Sequence, residues 1–136
     1  MKVLQFAFGD DMPQSGYIPH NYDKNFLVYT GTHDNNTTIG WWKTELSETA
    51  KERIKTYTGG DVNEKNIYTI LARLAYSSVA NIAILPIQDV LGLDETARMN
   101  LPSSTENNWV WRLMPNQLNS ATEKYLYDLV QIYNRL

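Results

Sequence analysis

Three short apolar runs, separated by loop or helical sequence, constrain the fold of this chain more than any other feature. The runs are Val3 to Phe8, Phe26 to Tyr29 and Ile82 to Ile87. None of them alternates cleanly between apolar and polar residues, which is typical of parallel strands that are covered on both faces. Because helical sequence separates the second run from the third, we predict an α/β fold with a parallel sheet and right-handed crossovers.

Two helices are predicted between the second and third runs, and another near the end of the sequence. Helix formers fill residues 46–57, and Gly59-Gly60 suits a helix C-terminus. Asp61 or Asn63 is then expected to cap a second helix. Its apolar positions, spaced i, i+3, i+4, i+7, are Ile67, Ile70, Leu71 and Leu74. Residues 120–123 have the capping-box pattern of a last helix. The predicted apolar face of that helix consists of Leu126, Leu129, Val130, Tyr133 and Leu136.

Composition limits the classes of protein to which this chain can belong. With 136 residues, 43% of them hydrophobic, the chain suits one domain with a core, and we assign residues 1–136 to a single domain. A formal charge of −3 disfavours a nucleic-acid partner. The absence of cysteine excludes disulfides and thiolate metal sites, and it fits a reducing cytoplasm. No apolar segment suits a membrane span or a signal peptide, so we expect a cytoplasmic protein without a membrane partner.

Polar residues follow the second predicted strand at the point where it ends. In folds built from β/α units this end of the strand carries the chemistry, so His33 and Asp34 are candidate site residues. Asp34, Asn35 or Thr37 could instead cap the helix that contains Trp41-Trp42. A lone histidine is also more often structural than catalytic. Both interpretations of the His-Asp pair stay open on the pattern alone.

Other polar and aromatic residues can likewise be interpreted either as functional-site residues or as structural residues. Asp89 closes the third run as Asp34 closes the second, which favours a convergent site, although it could simply begin a turn. A metal site would need His20, His33 and a carboxylate, but the histidines lack the spacing of a metal motif, so we expect no metal. Trp109 and Trp111 could stack on sugar rings or share one face of an edge strand. We expect at least one of them in the core.

The predicted sheet leaves unpaired surfaces. Three parallel strands have two bare edges, and the apolar third run needs cover on both faces. A closed barrel of eight β/α units needs roughly 250 residues, so we expect the chain to be a segment of something larger. Bare edges also predict self-association between copies of the chain.

Six motifs in a fixed order resemble a known family. They are residues 2–8, 19–22, 29–35, 88–93, 97–100 and 108–112. Nearly end to end, the chain resembles the C-terminal part of the 4-alpha-glucanotransferases, the amylomaltase or disproportionating-enzyme family. The resemblance implies a (β/α)8 barrel of the α-amylase type, to which residues 1–136 would contribute about strands six to eight with their helices.

The resemblance also implies an activity and its residues. It implies transfer of α-1,4-glucan segments between maltooligosaccharides by a retaining mechanism, in which one carboxylate attacks and a second acts as acid and then base. Asp34 would be a third carboxylate that stabilises the transition state, with His33 beside it, and no cofactor is implied. The implied substrate contacts are Phe8, His20, Asn21, Asn35, Asn100 and Pro102. The implied partners are glucans and the remaining N-terminal part of the barrel.

The sequence departs from the family pattern in three respects. Asn36 stands where the family usually has Asp, and the usual Pro-Gly-Thr after the Asn is here Pro102-Ser103-Ser104-Thr105. In the family the nucleophile and the acid/base residue lie upstream of the match to Met1, so we expect this chain alone to be inactive. Two alternatives remain: a freestanding α-glucan-binding module, and a module that docks onto a separate chain to restore the barrel.

Overall fold

Short strands and five α-helices make up the computed structural model, which describes residues 1–136. The strands are Lys2–Val3 (β1), Leu27–Tyr29 (β2) and Ile82–Ile84 (β3). The α-helices are Thr38–Thr44 (α1), Glu48–Thr58 (α2), Ile67–Ser77 (α3), Ile87–Val90 (α4) and Ser120–Ile132 (α5). Short 3-10 helices occur at Leu4–Phe6, Met12–Gln14, Pro19–Asn21 and Glu95–Ala97.

The three strands form one parallel sheet in the order β1-β2-β3. Val3 pairs with Tyr29, and Tyr29 pairs in turn with Ile84, so the carboxyl ends of all three strands lie level. The predicted α/β fold with a parallel sheet is therefore confirmed. The loops that leave these strand ends meet on one side of the sheet.

Two of the predicted strands are shorter than expected. The first ends at Val3, because the chain turns there into the 3-10 helix Leu4–Phe6. The third ends at Ile84, because Pro86 lacks a backbone N–H and stands at the N-cap of α4. The cover that the apolar third run needs on both faces is not supplied within this chain, since Ile82 is 52% and Ile84 is 37% exposed.

All the predicted helices occur, whereas the short helix α4 was not predicted, and two of the predicted caps differ. Helix α2 ends at Gly59, which has the left-handed φ of 72° expected of a glycine in that position. Helix α3 is preceded by Asn66 and not by Asp61 or Asn63; the Asn66 side chain accepts the backbone N–H of Asn63 at 2.8 Å.

The capping box predicted for the last helix is also wrong. The N-cap of α5 is Asn119, and its side-chain oxygen accepts the backbone N–H groups of Ala121 and Thr122. Ser120 therefore lies inside the first turn. Of the predicted apolar face, Leu129 is buried, while Tyr133 and Leu136 lie beyond the last helical residue, Ile132.

The core joins the sheet to the first three helices. Val28 from β2 packs with Trp41 and Trp42 from α1, Ile54 from α2 and Leu71 from α3. Each such side chain stabilises the fold by about 1.5–3 kcal/mol relative to an exposed position. This packing holds β2 and α1 rigidly at either end of the loop that links them. None of the helices is both long and apolar enough to cross a bilayer.

Candidate active site

The loop between β2 and α1 carries the predicted His-Asp pair. We call residues 31–37 the site loop. Its last residue, Thr37, is the N-cap of α1, and the Thr37 side chain accepts the Gly40 backbone N–H at 3.1 Å. Of the three capping candidates, Thr37 is thus the cap, and Asp34 is free of that role. The Asn35 side chain instead folds back within the loop, where its Oδ1 accepts the Thr32 N–H at 2.9 Å.

His33 and Asp34 lie side by side at the surface. His33 Nε2 is 3.3 Å from Asp34 Oδ1, and the two side chains are 55% and 52% exposed. An exposed pair of this kind adds at most about 1 kcal/mol to stability, so folding alone does not require it. The His33 ring also lies against the indole of Trp109, with 5.1 Å between ring centroids.

Asn100 fixes one oxygen of the Asp34 carboxylate. Its side-chain Nδ2 donates to Asp34 Oδ1 at 2.7 Å, and its backbone N–H donates to the His33 carbonyl oxygen at 3.1 Å. Asp34 Oδ2 receives no hydrogen bond from the chain. The carboxylate is therefore oriented through one oxygen and open to a ligand through the other.

Arg98 belongs to the same cluster through hydrogen bonds to two backbone carbonyl groups. Its Nη2 donates to the Asp34 backbone carbonyl at 2.7 Å and its Nε donates to the Asn100 carbonyl at 2.9 Å. Its Nη1 lies 3.5 Å from Glu45 Oε1. Arg98 was not among the site residues predicted from the sequence; the available signal was a cation two residues before Asn100 within one of the six motifs.

Asp89 is buried beneath the site loop, with 5% of its surface exposed. Its Oδ1 accepts the Thr38 backbone N–H at 2.7 Å, and its Oδ2 accepts the hydroxyls of Thr38, at 2.8 Å, and Thr30. Burial raises the pKa of the Asp89 carboxyl, and the hydrogen bonds from Thr30 and Thr38 oppose that rise. The sequence allowed two interpretations of Asp89, as part of a convergent site or as the start of a turn. Neither interpretation includes this buried contact with three hydrogen-bond donors.

These residues surround a cavity of 430 Å³, which we call the site pocket. It lies at the carboxyl ends of β2 and β3, where the sequence predicted a convergent site. Its lining includes the site loop, Gln88, Asp89, Arg98 and Trp109. Carboxylate, amide, imidazole and indole groups together suit a neutral ligand with many hydroxyl groups, such as a sugar.

Comparison with known proteins decides the family. The family model described as 4-alpha-glucanotransferase matches residues 1–118. The chain belongs to the 4-alpha-glucanotransferase family. Its resemblance to the C-terminal part of that family is confirmed.

Similar proteins cover nearly the whole chain. A 4-alpha-glucanotransferase from Synechocystis sp. is 47% identical over 99% of this chain and 26% of the relative. One from Streptococcus pneumoniae is 44% identical over 100% of this chain and 26% of the relative. A solved amylomaltase from Streptococcus agalactiae, in complex with acarbose, superposes with a TM-score of 0.91 at 33% identity, over 99% of this chain and 27% of that chain. The chain spans about a quarter of the length of these relatives.

The structure brings together some of the residues that the family resemblance implied. His33, Asp34 and Asn35 line the site pocket, and Asn100 is hydrogen-bonded to two of them. Pro102 is exposed two residues further on and does not line the pocket.

Three other implied substrate contacts lie elsewhere. Phe8 is 2% exposed in the core, where its ring packs against Tyr57 with 6.0 Å between centroids. His20 and Asn21 both bind the Pro13 carbonyl oxygen, at 2.9 and 3.0 Å, and so organise the loop between β1 and β2. Buried packing and internal hydrogen bonds, and not the site pocket, occupy these side chains.

One further expectation, about the two tryptophans, has a plain outcome. The prediction that Trp109 or Trp111 enters the core is wrong: neither is buried, neither is in a strand, and Trp109 is 53% exposed with a φ of 62°. No cluster of three His, Cys, Asp or Glu side chains is arranged to hold a metal ion.

Both local departures from the family pattern have a structural counterpart. The Asn36 amide is buried and donates to Glu45 Oε1 at 3.0 Å, a contact in which an aspartate would repel the Glu45 carboxylate. Ser103 adopts a φ of 67°, which costs a non-glycine residue about 1–2 kcal/mol. The loop that contains Pro102 therefore keeps a backbone conformation that favours glycine.

Proposed function

We propose that this chain is the C-terminal part of the catalytic barrel of a 4-alpha-glucanotransferase, which transfers α-1,4-glucan segments between maltooligosaccharides. In this proposal residues 1–136 supply about strands six to eight, and the protein is cytoplasmic. The observation that carries it is the Asp34 carboxylate, which lines the site pocket and is held through Oδ1 by Asn100 while Oδ2 accepts no hydrogen bond from the chain.

The geometry suits Asp34 to transition-state stabilisation. Glycosyl transfer passes through an oxocarbenium-like state, so a fixed negative charge nearby stabilises the transition state more than the ground state. Because Asn100 and His33 already orient Oδ1, the carboxylate needs little reorganisation when the charge develops. Trp109 offers an exposed indole face on which a sugar ring can stack.

The remaining catalytic groups come from outside this chain. A retaining mechanism requires two carboxylates about 5–5.5 Å apart on either side of the scissile bond. Asp34 and Asp89 are the only carboxylates that line the site pocket, and both oxygens of Asp89 already accept hydrogen bonds. The nucleophile and the acid/base residue therefore belong to the rest of the barrel, whose strands would cover the exposed face of β3 and pair with its edge.

A chimeric enzyme tests the proposal. The Synechocystis relative would keep its own sequence outside the matched quarter and receive residues 1–136 of this chain in place of its own. We expect the chimera to convert maltotriose into longer maltooligosaccharides and glucose, and the 136-residue chain alone to be inactive. Asp34→Asn should lower kcat by about a hundredfold or more, the typical effect of removing one preorganised electrostatic contact.

Asp23→Asn is the matched control, because Asp23 is an exposed aspartate outside the site pocket. It removes the same charge and should leave transfer unchanged. A folded chimera whose rate is insensitive to Asp34→Asn would contradict the role of Asp34. Transfer by the isolated chain would contradict the assignment of the catalytic pair to other parts of the barrel.

A second candidate function is a freestanding α-glucan-binding module. It is favoured by one observation: the site pocket, with Trp109 and Asp34, is formed within this chain alone. Calorimetric titration of the isolated chain with maltoheptaose distinguishes the candidates. Binding that is lost in Trp109→Ala supports a module, whereas no measurable binding leaves the barrel proposal alone.

A further inference from the structure

One buried carboxylate touches both ends of the site loop. Thr30 is the residue after β2 and Thr38 is the first residue of α1, and the loop between them carries His33 and Asp34. Asp89 accepts hydrogen bonds from both threonines although it belongs to a different β/α unit. We infer that Asp89 is a positioning residue, which fixes the two ends of the site loop and thereby sets the location of His33 and Asp34.

The contacts of Asp89 favour a positioning role over a direct role in chemistry. Its Oδ1 is taken by the Thr38 backbone N–H, and its Oδ2 is taken by the two threonine hydroxyls. Three donors of the chain already contact its two oxygens and only 5% of its surface is exposed, so Asp89 is fixed in place by the loop ends and not presented to a substrate as Asp34 is. Any effect it has on the reaction must pass through the loop that it holds.

Energetics also favour a positioning role over simple packing. Burying a carboxylate carries a desolvation penalty that an apolar side chain in the same space would not have, and the three hydrogen bonds to the loop ends are what offset it. The site loop also has a second attachment: Gln5, just after β1, donates its side-chain N–H to the Asn36 carbonyl at 2.9 Å and its backbone N–H to the Thr30 carbonyl at 3.2 Å. The loop is therefore held at both of its ends from two sides, by Gln5 after β1 and by Asp89 after β3, and Asp89 is the buried charged group of the two.

Four variants separate positioning from general stability. Asp89→Leu removes all three hydrogen bonds, while Asp89→Asn keeps a side-chain oxygen for the Thr38 N–H. Thr30→Val, an isosteric change, releases only the end of the loop next to β2, and it keeps the test open if Asp89→Leu does not fold. Ile54→Val is the stability control, because Ile54 is fully buried in α2 and does not line the site pocket.

Amide hydrogen exchange in the 136-residue chain, followed by NMR, measures the loop directly. The amides of Thr38, Thr32 and Asn35 are reporters, since each donates a hydrogen bond within this region. We expect exchange at all three to accelerate about tenfold or more in Asp89→Leu, the factor expected from loss of one hydrogen bond to a charged group. Asp89→Asn should restore part of the protection, and Ile54→Val should not change the loop relative to the core. Loop protection that is equal in Asp89→Leu and Ile54→Val would overturn the inference.

The catalytic consequence rests on the proposed function and is measured separately. In the chimeric enzyme, Asp89→Leu should lower kcat for maltotriose at least tenfold with a smaller change in KM, because Asp34 acts in the transition state. Asp89→Asn should recover part of kcat, and Ile54→Val should leave it unchanged. An unchanged kcat in Asp89→Leu would overturn the catalytic part of the inference. If the unsubstituted chimera shows no transfer, the proposed function fails, while hydrogen exchange still decides whether Asp89 positions the loop.

Discussion

Orientation of Asp34 depends on residues that come from a distant part of the sequence. Asn100 holds its side chain and Arg98 holds its backbone carbonyl, and both are more than sixty positions away along the chain. A guanidinium that donates to two carbonyl oxygens places them with a geometry that a lysine cannot reproduce. The candidate site is thus defined by two loops that the folded sheet brings together, and neither loop forms it alone.

Gly31 shows how tightly the start of the site loop is packed. A Cβ at this position would lie 2.7 Å from Gln5 Nε2 and 3.2 Å from the Asn35 Cβ. We expect Gly31→Ala to displace the Gln5 side chain, break its hydrogen bond to Asn36 and lower the free energy of unfolding by about 1–3 kcal/mol. Urea denaturation followed by tryptophan fluorescence measures the change.

Gly60→Ala is the control for that prediction, because an added Cβ there would meet nothing within 4 Å. It should alter stability by less than about 0.5 kcal/mol, as is usual for surface substitutions. Equal unfolding midpoints for the two alanine variants would show that the close approach of Gln5 to Gly31 does not constrain the loop.

Among the structural elements, α5 provides a direct test of two capping models. The structure assigns the N-cap to Asn119, whereas the sequence pattern assigned it to Ser120. We expect Asn119→Ala to destabilise the chain by about 1 kcal/mol, since its side chain satisfies two backbone N–H groups. Ser120→Ala should be nearly neutral, because alanine is a good residue inside a first turn. The reverse order of effects, read from thermal unfolding by circular dichroism, would favour the capping box.

Periodicity predicted the elements better than their ends. The i, i+3, i+4, i+7 spacing identified α3 correctly, because residues at this spacing lie on one face only when the segment is helical. These residues are Ile67, Ile70, Leu71 and Leu74. The strand limits failed at Leu4 and Pro86, where a turn ends an apolar run that shows no break in hydropathy. At the starts of α1 and α5 several neighbouring residues are able to cap the helix. Only the backbone geometry decides that Thr37 and Asn119 do so.

The candidate site was predictable in part, for a similar reason. His33 and Asp34 could be predicted as site residues because this polar pair directly follows an apolar run. The end of the strand then places the pair at the site pocket. Arg98 could not be predicted as a site residue, since its contacts depend on the path of a loop whose sequence has no periodicity. Phe8 lies in the core of this chain and not at the site pocket, because the first strand ends at Val3 and Phe8 falls in the turn after the 3-10 helix Leu4–Phe6.

At the scale of the whole molecule, the three-stranded sheet has two unpaired edges. Both outer strands, β1 and β3, have one edge without a hydrogen-bonded neighbour. In β3 the side chains of Ile82 and Ile84 are also exposed, so this strand lacks both a backbone partner and a packing partner on its open side. Apolar edge strands without charges or bulges pair readily with other chains. The self-association predicted from the sequence follows from this surface and stays a prediction.

Sedimentation velocity of the isolated chain over a range of concentrations tests it. We expect dimers or larger species that grow with concentration, and we expect Ile82→Lys to shift the population toward monomer, because a lysine on an edge strand opposes pairing. Tyr127→Lys is the control, since Tyr127 is an exposed aromatic residue on α5, away from the sheet. A monomer at every concentration, or equal association in both lysine variants, would show that β3 is not the contact surface. In the chimeric enzyme the same Ile82→Lys change should instead impair assembly of the barrel, because the proposed function places a neighbouring strand against that edge.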